Sequence, residues 1–218
     1  EELVRVIPSS WSFQQGAAFM VQGLTAMYGL RSLGHVTKDS TVLITSGAGG
    51  VGLFCLWILR SMKGEPNMVS SVVTTVSTLD KKEFLLKTMP FLNPNQIIVR
   101  SKKGASYDDQ LREALCSLNN QHKKEDDKNT EGFDVIMDAI GGYTFKANYD
   151  HLSRGGRLVT FGSADFTPTK DTVNWPKLIW KYLRRPRVDV MSMPSENKGV
   201  LGFNLIWSKC QTCTHTCI

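Results

Sequence analysis

A cluster of four glycines between a strand-like run and a helix-like run limits the folds open to this chain more than any other feature. In TVLITSGAGGVGLFCLWIL, residues 41–59, a β-branched run leads to Gly47, Gly49, Gly50 and Gly52, and an apolar helical pattern follows. The first, second and last of these glycines fit GxGxxG in the strand–turn–helix context that this motif requires. Such a loop lets the backbone approach a pyrophosphate at a helix N-terminus. A tight turn in a buried core is the structural alternative, but it would not need so many residues without side chains.

The rest of the chain alternates strand-like runs with helical ones. The strand-like runs are TVLIT, SSVVTTV, QIIV, FDVIMDAI and GRLVTFG. This alternation indicates parallel strands joined by crossover helices, and FDVIMDAI is apolar on both faces, as expected of a central strand. The sequence therefore predicts an α/β fold, a Rossmann-type doubly wound parallel sheet with helices on both faces.

The end of the second strand predicts which nucleotide binds. A site for NAD usually has an acidic residue there, about 20 residues past the glycines. Here the run ends in Ser77 and Thr78, and Lys81 and Lys82 follow after Asp80. The lysines suit a 2′-phosphate, so NADP is favoured over NAD. The alternative is a helix start capped by Ser77 or Thr78, with both lysines in solvent.

Net charge is +6, and much of it falls in WPKLIWKYLRRPR, residues 175–187. Apolar side chains recur at helical spacing on one side of this segment, and basic ones occupy the other, which predicts an amphipathic helix. The apolar set is Trp175, Leu178, Ile179, Tyr182 and Leu183, and the basic set is Lys177, Lys181, Arg184 and Arg185. We favour a helix packed on the core with its basic face in solvent. Contact with a membrane surface is the less favoured alternative, and nucleic acid is not expected as a partner.

Several classes of protein find no support in the sequence. The apolar run VGLFCLWIL stops at Arg60, short of a membrane span, and we expect a cytoplasmic protein. The polar segment 119–132 indicates a surface insertion, and CQTCTHTCI, in residues 208–218, indicates a C-terminal tail rather than a zinc site. No metal site is expected, and no histidine is paired with a nucleophile in the pattern of a hydrolase.

Several segments, in order, resemble the medium-chain dehydrogenase/reductase superfamily, in its zinc-independent quinone oxidoreductase branch, which is zeta-crystallin-like and includes the vesicle amine transport protein-like members. They are QGLTAMYGL, SGAGGVG, TVSTLDKKEF, GFDVIMDAIGG, GRLVTFGSADF and ENKGVLGFNLIW. Together they cover most of residues 14–207. A methyltransferase with a similar glycine loop would leave the later segments unexplained.

The resemblance implies a site for NADP(H). Its pyrophosphate loop corresponds to Gly49, Gly50, Val51 and Gly52, beside Gly47 and Ser77 from the motif analysis. Thr25, Phe161, Gly162 and Phe203 correspond to residues near the nicotinamide, Lys81 to a basic residue at the 2′-phosphate, and Ala139 to a position that is often serine. Arg100 stands where relatives often have a tyrosine beside the adenosine, which leaves a phosphate role open. Val21 stands where zinc-dependent relatives have a cysteine ligand, so catalytic zinc is not expected, and no catalytic residue is assigned.

The resemblance also implies an activity and an assembly. Residues 1–207 would form the NADP-binding domain of a quinone or enone oxidoreductase, with the GroES-like catalytic domain absent, so this chain alone is expected to bind NADPH but to catalyse little. The alternative is a nucleotide-sensing or membrane-associated protein that retains the fold without turnover. The apolar run VLGFNLIW, residues 200–207, predicts an edge strand that pairs across a two-fold axis in a homodimer.

Overall fold

A six-stranded sheet organises the chain in the computed structural model, which describes residues 6–63, 72–100, 106–122, 131–167 and 174–205. The strands lie in the order β3-β2-β1-β4-β5-β6, and every neighbouring pair is parallel. They are β1 Val42–Ile44, β2 Val72–Val76, β3 Ile97–Val99, β4 Phe133–Asp138, β5 Leu152–Thr160 and β6 Gly199–Gly202. The predicted doubly wound parallel sheet is confirmed, and all five strand-like runs become strands.

Helices cover both faces of this sheet. They are α1 Phe13–Met27, α2 Gly50–Lys63, α3 Leu79–Thr88, α4 Tyr107–His122, α5 Phe145–Asp150, α6 Trp175–Leu183 and α7 Met193–Glu196. A π-helical turn, Tyr28–Leu33, continues α1. Buried side chains of α2 and α3 share one core with β1 and β2, and those of α4 share a second core on the opposite face. Within the described ranges, no helix is both long and apolar enough to cross a bilayer.

The central and edge positions of two strands follow the predicted pattern. In β4, five of the six residues are buried, because helices cover it on both sides. β6 lies at the edge, as expected, but it is shorter than the predicted run 200–207. Its pairing ends with the Phe203 amide, which donates to the Thr160 carbonyl at 3.1 Å, since β5 itself ends at Thr160. Residues 206 and 207 lie outside the described part of the chain.

The polar segment predicted as a loop over 119–132 begins inside a helix. α4 continues to His122, so the loop starts at least four residues later than expected. The helix begins with a Ser106 cap, whose hydroxyl oxygen accepts from the Asp109 amide at 3.2 Å. Residues 123–130, and the cysteine-rich tail 208–218, lie outside the described residues.

The basic segment forms the predicted helix, but its packing differs from the prediction. Trp175, Ile179 and Leu183 lie one above the other on α6 and are 64%, 55% and 63% exposed. They are therefore not packed on the core. The basic side chain of Lys181 instead faces the domain, where its Nζ lies 2.7 Å from Asp165 Oδ1. This ion pair holds the basic side against the domain, so four of the five predicted apolar residues are exposed and only Leu178 among them is half-buried.

Candidate cofactor site

The glycine loop lies where the order of the strands reverses. β1 has β2 on one side and β4 on the other, and their crossovers lie on opposite faces, so a crevice opens at the carboxyl ends of β1 and β4. The loop is tied to both neighbours. The Gly47 amide donates to the Thr75 carbonyl at 2.9 Å, and the Thr45 amide donates to the Met137 carbonyl at 3.0 Å. The loop is thus held in place before α2 begins at Gly50.

Two of the glycines are required by packing within the chain. A Cβ on Gly47 would lie 1.9 Å from Thr74 Oγ1, and a Cβ on Gly52 would lie 2.5 Å from the Ser46 carbonyl oxygen. Neither neighbour can move away at low cost, because Thr74 is β-branched and fully buried and the other atom belongs to the backbone. Gly47 and Gly52 therefore allow the strand, loop and helix to pack closely, whether or not a nucleotide binds.

The two central glycines are less constrained by the core. A Cβ on Gly49 would meet only the Ser46 carbonyl oxygen, at 3.2 Å, and a Cβ on Gly50 would overlap the end of the flexible Gln22 side chain. Val51 packs partly against the core in the first turn of α2. Gly49 thus leaves open space beside a helix N-terminus, where amides without helical partners face an incoming group. This is the geometry that an anionic phosphate requires.

Polar and basic residues follow the ends of β2 and β3. Ser77 and Lys81 are exposed, and the hydroxyl of Thr78 accepts from the Lys81 amide at 3.4 Å as the cap of α3. The Arg100 amide donates to the Val76 carbonyl at 2.9 Å, which places Arg100 directly beside the strand end that carries Ser77. The proposed cap is therefore Thr78, while Ser77, Lys81 and Arg100 gather at one corner of the carboxyl edge.

The Arg100 side chain makes a contact that the sequence did not indicate. Its Nη1 donates to the Tyr143 hydroxyl at 3.2 Å, and its Nε is buried without a hydrogen-bond partner among the described residues. A buried guanidinium nitrogen without a partner is costly unless an acceptor reaches it. The bond to Tyr143 holds the guanidinium at this corner, where its positive charge also acts to lower the pKa of Asp138.

Asp138, at the end of β4, organises the central part of the edge and was missed in the sequence. It is fully buried, and its Oδ1 accepts from the amides of Ile140 and Gly141 at 2.9 and 3.2 Å. Burial raises the pKa of Asp138 above its ordinary value, and the two amides oppose that shift. The hydroxyl oxygen of Thr45 accepts from the Ala139 amide at 2.8 Å. These contacts join the ends of β1 and β4, and the signal that could have indicated them is a carboxylate at the end of an otherwise apolar strand.

Ala139, Phe161 and Gly162 are brought together at the ends of β4 and β5. The Phe161 amide donates to the Asp138 carbonyl at 3.1 Å. A Cβ on Gly162 would lie 2.8 Å from the Ala139 carbonyl oxygen. The chain after β5 thus crosses close over the end of β4, which forms one wall of the crevice.

An aromatic group closes this end of the site. The ring centroids of Phe161 and Phe203 are 6.1 Å apart, and those of Tyr28 and Phe203 are 5.1 Å apart. Tyr28 was not predicted, although it follows Thr25 by three residues. Thr25 itself is nearly buried in α1, and its hydroxyl donates to the Val21 carbonyl at 2.6 Å. That hydroxyl can still accept a hydrogen bond, but its proton is already used.

No group of three histidine, cysteine or carboxylate residues that could hold a metal ion occurs within the described ranges. Val21, which stands at the position of a ligand in the zinc-dependent enzymes, is 66% exposed. A valine supplies no atom that binds zinc.

Comparison with known proteins gives two kinds of relative. No family model matches the chain. Among curated proteins it is 28% identical over 164 residues to Highly-reducing polyketide synthase 1 of Aureobasidium melanogenum, and 28% identical over 163 residues to Probable polyketide synthase 24 of Dictyostelium discoideum. Each match covers 75% of this chain and 6% of the relative, so the chain spans a small part of the proteins that it matches.

Several of the solved structures that it resembles are about twice as long. They include the CurK enoyl reductase, with a TM-score of 0.59 and 23% identity over 94% of this chain and 48% of that one. The quinone oxidoreductase of Escherichia coli in complex with NADPH matches with a TM-score of 0.58 and 23% identity, over 92% of this chain and 48% of that one. A mycobacterial quinone oxidoreductase matches with a TM-score of 0.64 and 24% identity, over 92% of this chain and 49% of that one. The resemblance stated from the sequence is therefore confirmed at the level of the fold: the chain has the fold of about half of each of these structures, which include an enoyl reductase and quinone oxidoreductases.

Proposed function

We propose that this chain is the NADP(H)-binding domain, residues 1–207, of a zinc-independent reductase that acts on a quinone or an enone. One observation carries the proposal. At the carboxyl edge of the sheet, an open glycine position lies beside a helix N-terminus, and basic residues rather than an acid follow the next strand. The NADPH complex of the similar Escherichia coli enzyme supports this choice of cofactor.

The residues at the edge fit NADPH along its length. Gly49 and the amides that begin α2 would hold the pyrophosphate, because the loop offers donors and leaves room for a close approach. Lys81 and Arg100 would hold the 2′-phosphate, since both are cations at the ends of neighbouring strands and the guanidinium of Arg100 is held there by Tyr143. Phe161 and Phe203 would lie against the nicotinamide at the other end.

NADPH supplies a hydride equivalent when it is bound. The described residues of the chain would bind NADPH and orient its nicotinamide. Asp138 is fully buried and engaged by backbone amides, which makes it a fixed support rather than an exposed acid. The substrate consistent with such a site is an electron-poor double bond conjugated to a carbonyl group, as in a quinone or an enone, which accepts a hydride without a metal when the two reactants are held in the correct geometry.

The cofactor proposal is tested by fluorescence titration of the chain with NADPH and NADH. We expect NADPH to bind more tightly than NADH. Lys81→Ala should weaken the binding of NADPH about tenfold, since a charged hydrogen bond to phosphate is lost, and should leave the affinity for NADH unchanged. Lys87→Ala is the matched control, because Lys87 is exposed on the same helix but lies in its last turn. Equal weakening by both variants, or tighter binding of NADH, would refute the role of Lys81.

Turnover tests the reaction separately from binding. We expect a form of the protein as long as the solved structures that it resembles to oxidise NADPH with a simple quinone or enone. NADPH binding without any such turnover would favour the alternative, a protein that retains the fold to sense nucleotide.

A further inference from the structure

The orientation of α6 is set by an ion pair on its basic side. Lys181 Nζ lies 2.7 Å from Asp165 Oδ1, and it also donates to the Asp165 carbonyl at 2.6 Å. Asp165 is itself fixed, because its amide donates to the Ile140 carbonyl at 3.1 Å. A cavity of about 700 Å³ lies on this side of the helix, and its lining includes Trp180, Lys181, Arg184 and Arg185. The inner side of α6 is therefore held by a polar contact and faces a cavity rather than the hydrophobic core.

The outer side of α6 is apolar and exposed. Trp175, Ile179 and Leu183 are spaced by four residues, so they form one stripe along the helix, and each is more than half exposed. Tyr182 lies beside these three residues and is 57% exposed. A stripe of this kind is ordinarily buried. We call these four residues the α6 apolar stripe.

Cations frame the α6 apolar stripe at its C-terminal end. The guanidinium carbon of Arg184 lies 4.3 Å from the centroid of the Trp180 ring, and that of Arg185 lies 4.1 Å from the centroid of Tyr182. Arg184, Arg185 and Arg187 are exposed to solvent and also line the cavity. The sequence from residue 174 to residue 188 contains no aspartate or glutamate. The surface is thus apolar, aromatic and positively charged at once.

We propose that the α6 apolar stripe docks onto an anionic lipid surface. Short helices that lie in a membrane interface combine an apolar face, aromatic rings and arginines or lysines in this way, and each cation near an anionic leaflet adds to the attraction. A second copy of the chain would bring the same arginines together and repel. Nucleic acid would leave Ile179 and Leu183 without an apolar partner. This proposal does not depend on the cofactor site.

Sedimentation with vesicles tests the proposal on the complete chain. The probes are vesicles of phosphatidylcholine alone and vesicles of phosphatidylcholine with phosphatidylserine at a ratio of about 7:3. We expect binding to the anionic vesicles and little binding to the neutral ones. The Arg184→Gln, Arg185→Gln double variant is expected to bind the anionic vesicles about thirtyfold more weakly, and Ile179→Ser with Leu183→Ser at least about tenfold more weakly.

The matched control is the double variant Lys38→Gln, Lys87→Gln, which removes the same charge at two exposed sites outside α6. It should bind nearly as the unmodified chain does, and unfolding curves of all the variants should show that each remains folded. Equal binding to neutral and anionic vesicles would overturn the proposal, as would equal loss in the control. Loss of vesicle binding with concentration-dependent self-association through Ile179 and Leu183, or with binding to an acidic peptide instead, would assign the stripe to a protein partner and overturn it as well.

Discussion

Replacement of Gly47 by alanine should separate the part of the glycine loop that serves the fold from the part that serves a ligand. The added Cβ would lie 1.9 Å from Thr74 Oγ1 and 3.0 Å from Thr74 Cβ. Thr74 is fully buried, and its hydroxyl donates to the Ile44 carbonyl at 2.9 Å. Relief of the overlap must therefore shift the strand or break that hydrogen bond.

The expected magnitude follows from these two costs. Overpacking in a close-packed interior costs about 1–3 kcal/mol, and loss of a buried hydrogen bond adds about 1 kcal/mol. We expect Gly47→Ala to lower the free energy of unfolding by about 2–4 kcal/mol. For a chain of this size, that corresponds to a fall in Tm of about 4–16 °C. Urea unfolding followed by circular dichroism measures the change directly.

Gly49→Ala is the matched comparison, because its Cβ would meet only one backbone oxygen, at 3.2 Å. We expect this substitution to change the free energy of unfolding by less than about 1 kcal/mol. It should weaken the binding of NADPH at least about tenfold, since a methyl group then occupies the space of the pyrophosphate. The reasoning is refuted if Gly47→Ala is as stable as the unmodified chain. It is also refuted if Gly49→Ala unfolds as easily as Gly47→Ala while it retains full affinity for NADPH.

Three further outcomes are expected. Asp138→Ala should lower the free energy of unfolding by about 2–4 kcal/mol, because it leaves two amides unpaired. Since burial raises the pKa of Asp138, the folded state binds this proton more readily than the unfolded state does, and the unmodified chain should gain stability relative to Asp138→Asn between about pH 7 and about pH 4. A gain in stability by the variant over that range, measured by urea unfolding, would contradict this. The chain should form a homodimer through β6, and Gly202→Pro should disrupt it. The Phe203 amide points toward β5, so the amide of the preceding residue, Gly202, points toward the open edge, where proline would remove a donor. Light scattering that shows a monomer at high concentration, or a dimer unaffected by the proline, would exclude this edge as the dimer interface. The 218-residue chain alone should reduce quinones at less than about one turnover per second, since it covers 48% of the similar Escherichia coli quinone oxidoreductase. The decrease in NADPH absorbance during the reaction measures this rate.

The fold could be predicted because its signals are local and repeat along the chain. Each strand-like run is rich in β-branched or aliphatic residues, and the glycine loop links one of them to a helix in a context that few folds share. The boundaries were less certain. α4 extends to His122 through residues that look like loop in the sequence, because a solvent-facing helix can carry polar residues on most of its surface. β6 ends early because its neighbour ends, and the sequence of a strand does not specify the length of its partner.

The candidate site was predicted unevenly for a related reason. The residues that follow strand ends, such as Ser77, Lys81 and Phe161, could be placed at one edge once the strands were known. The contacts between distant segments could not. The bond from Arg100 to Tyr143 joins residues 43 positions apart, and the Thr45 hydroxyl meets the Ala139 amide across 94 positions. Neither pair has a spacing that a motif could record.

The orientation of α6 shows what a periodic pattern specifies and what it leaves open. The pattern divides the helix into an apolar side and a basic side, but the direction in which each side points depends on the strongest contact available. Here that contact is Asp165, which follows β5 and is linked through its amide to the segment after β4. Asp165 therefore joins α6 to the same edge of the sheet that carries the candidate cofactor site.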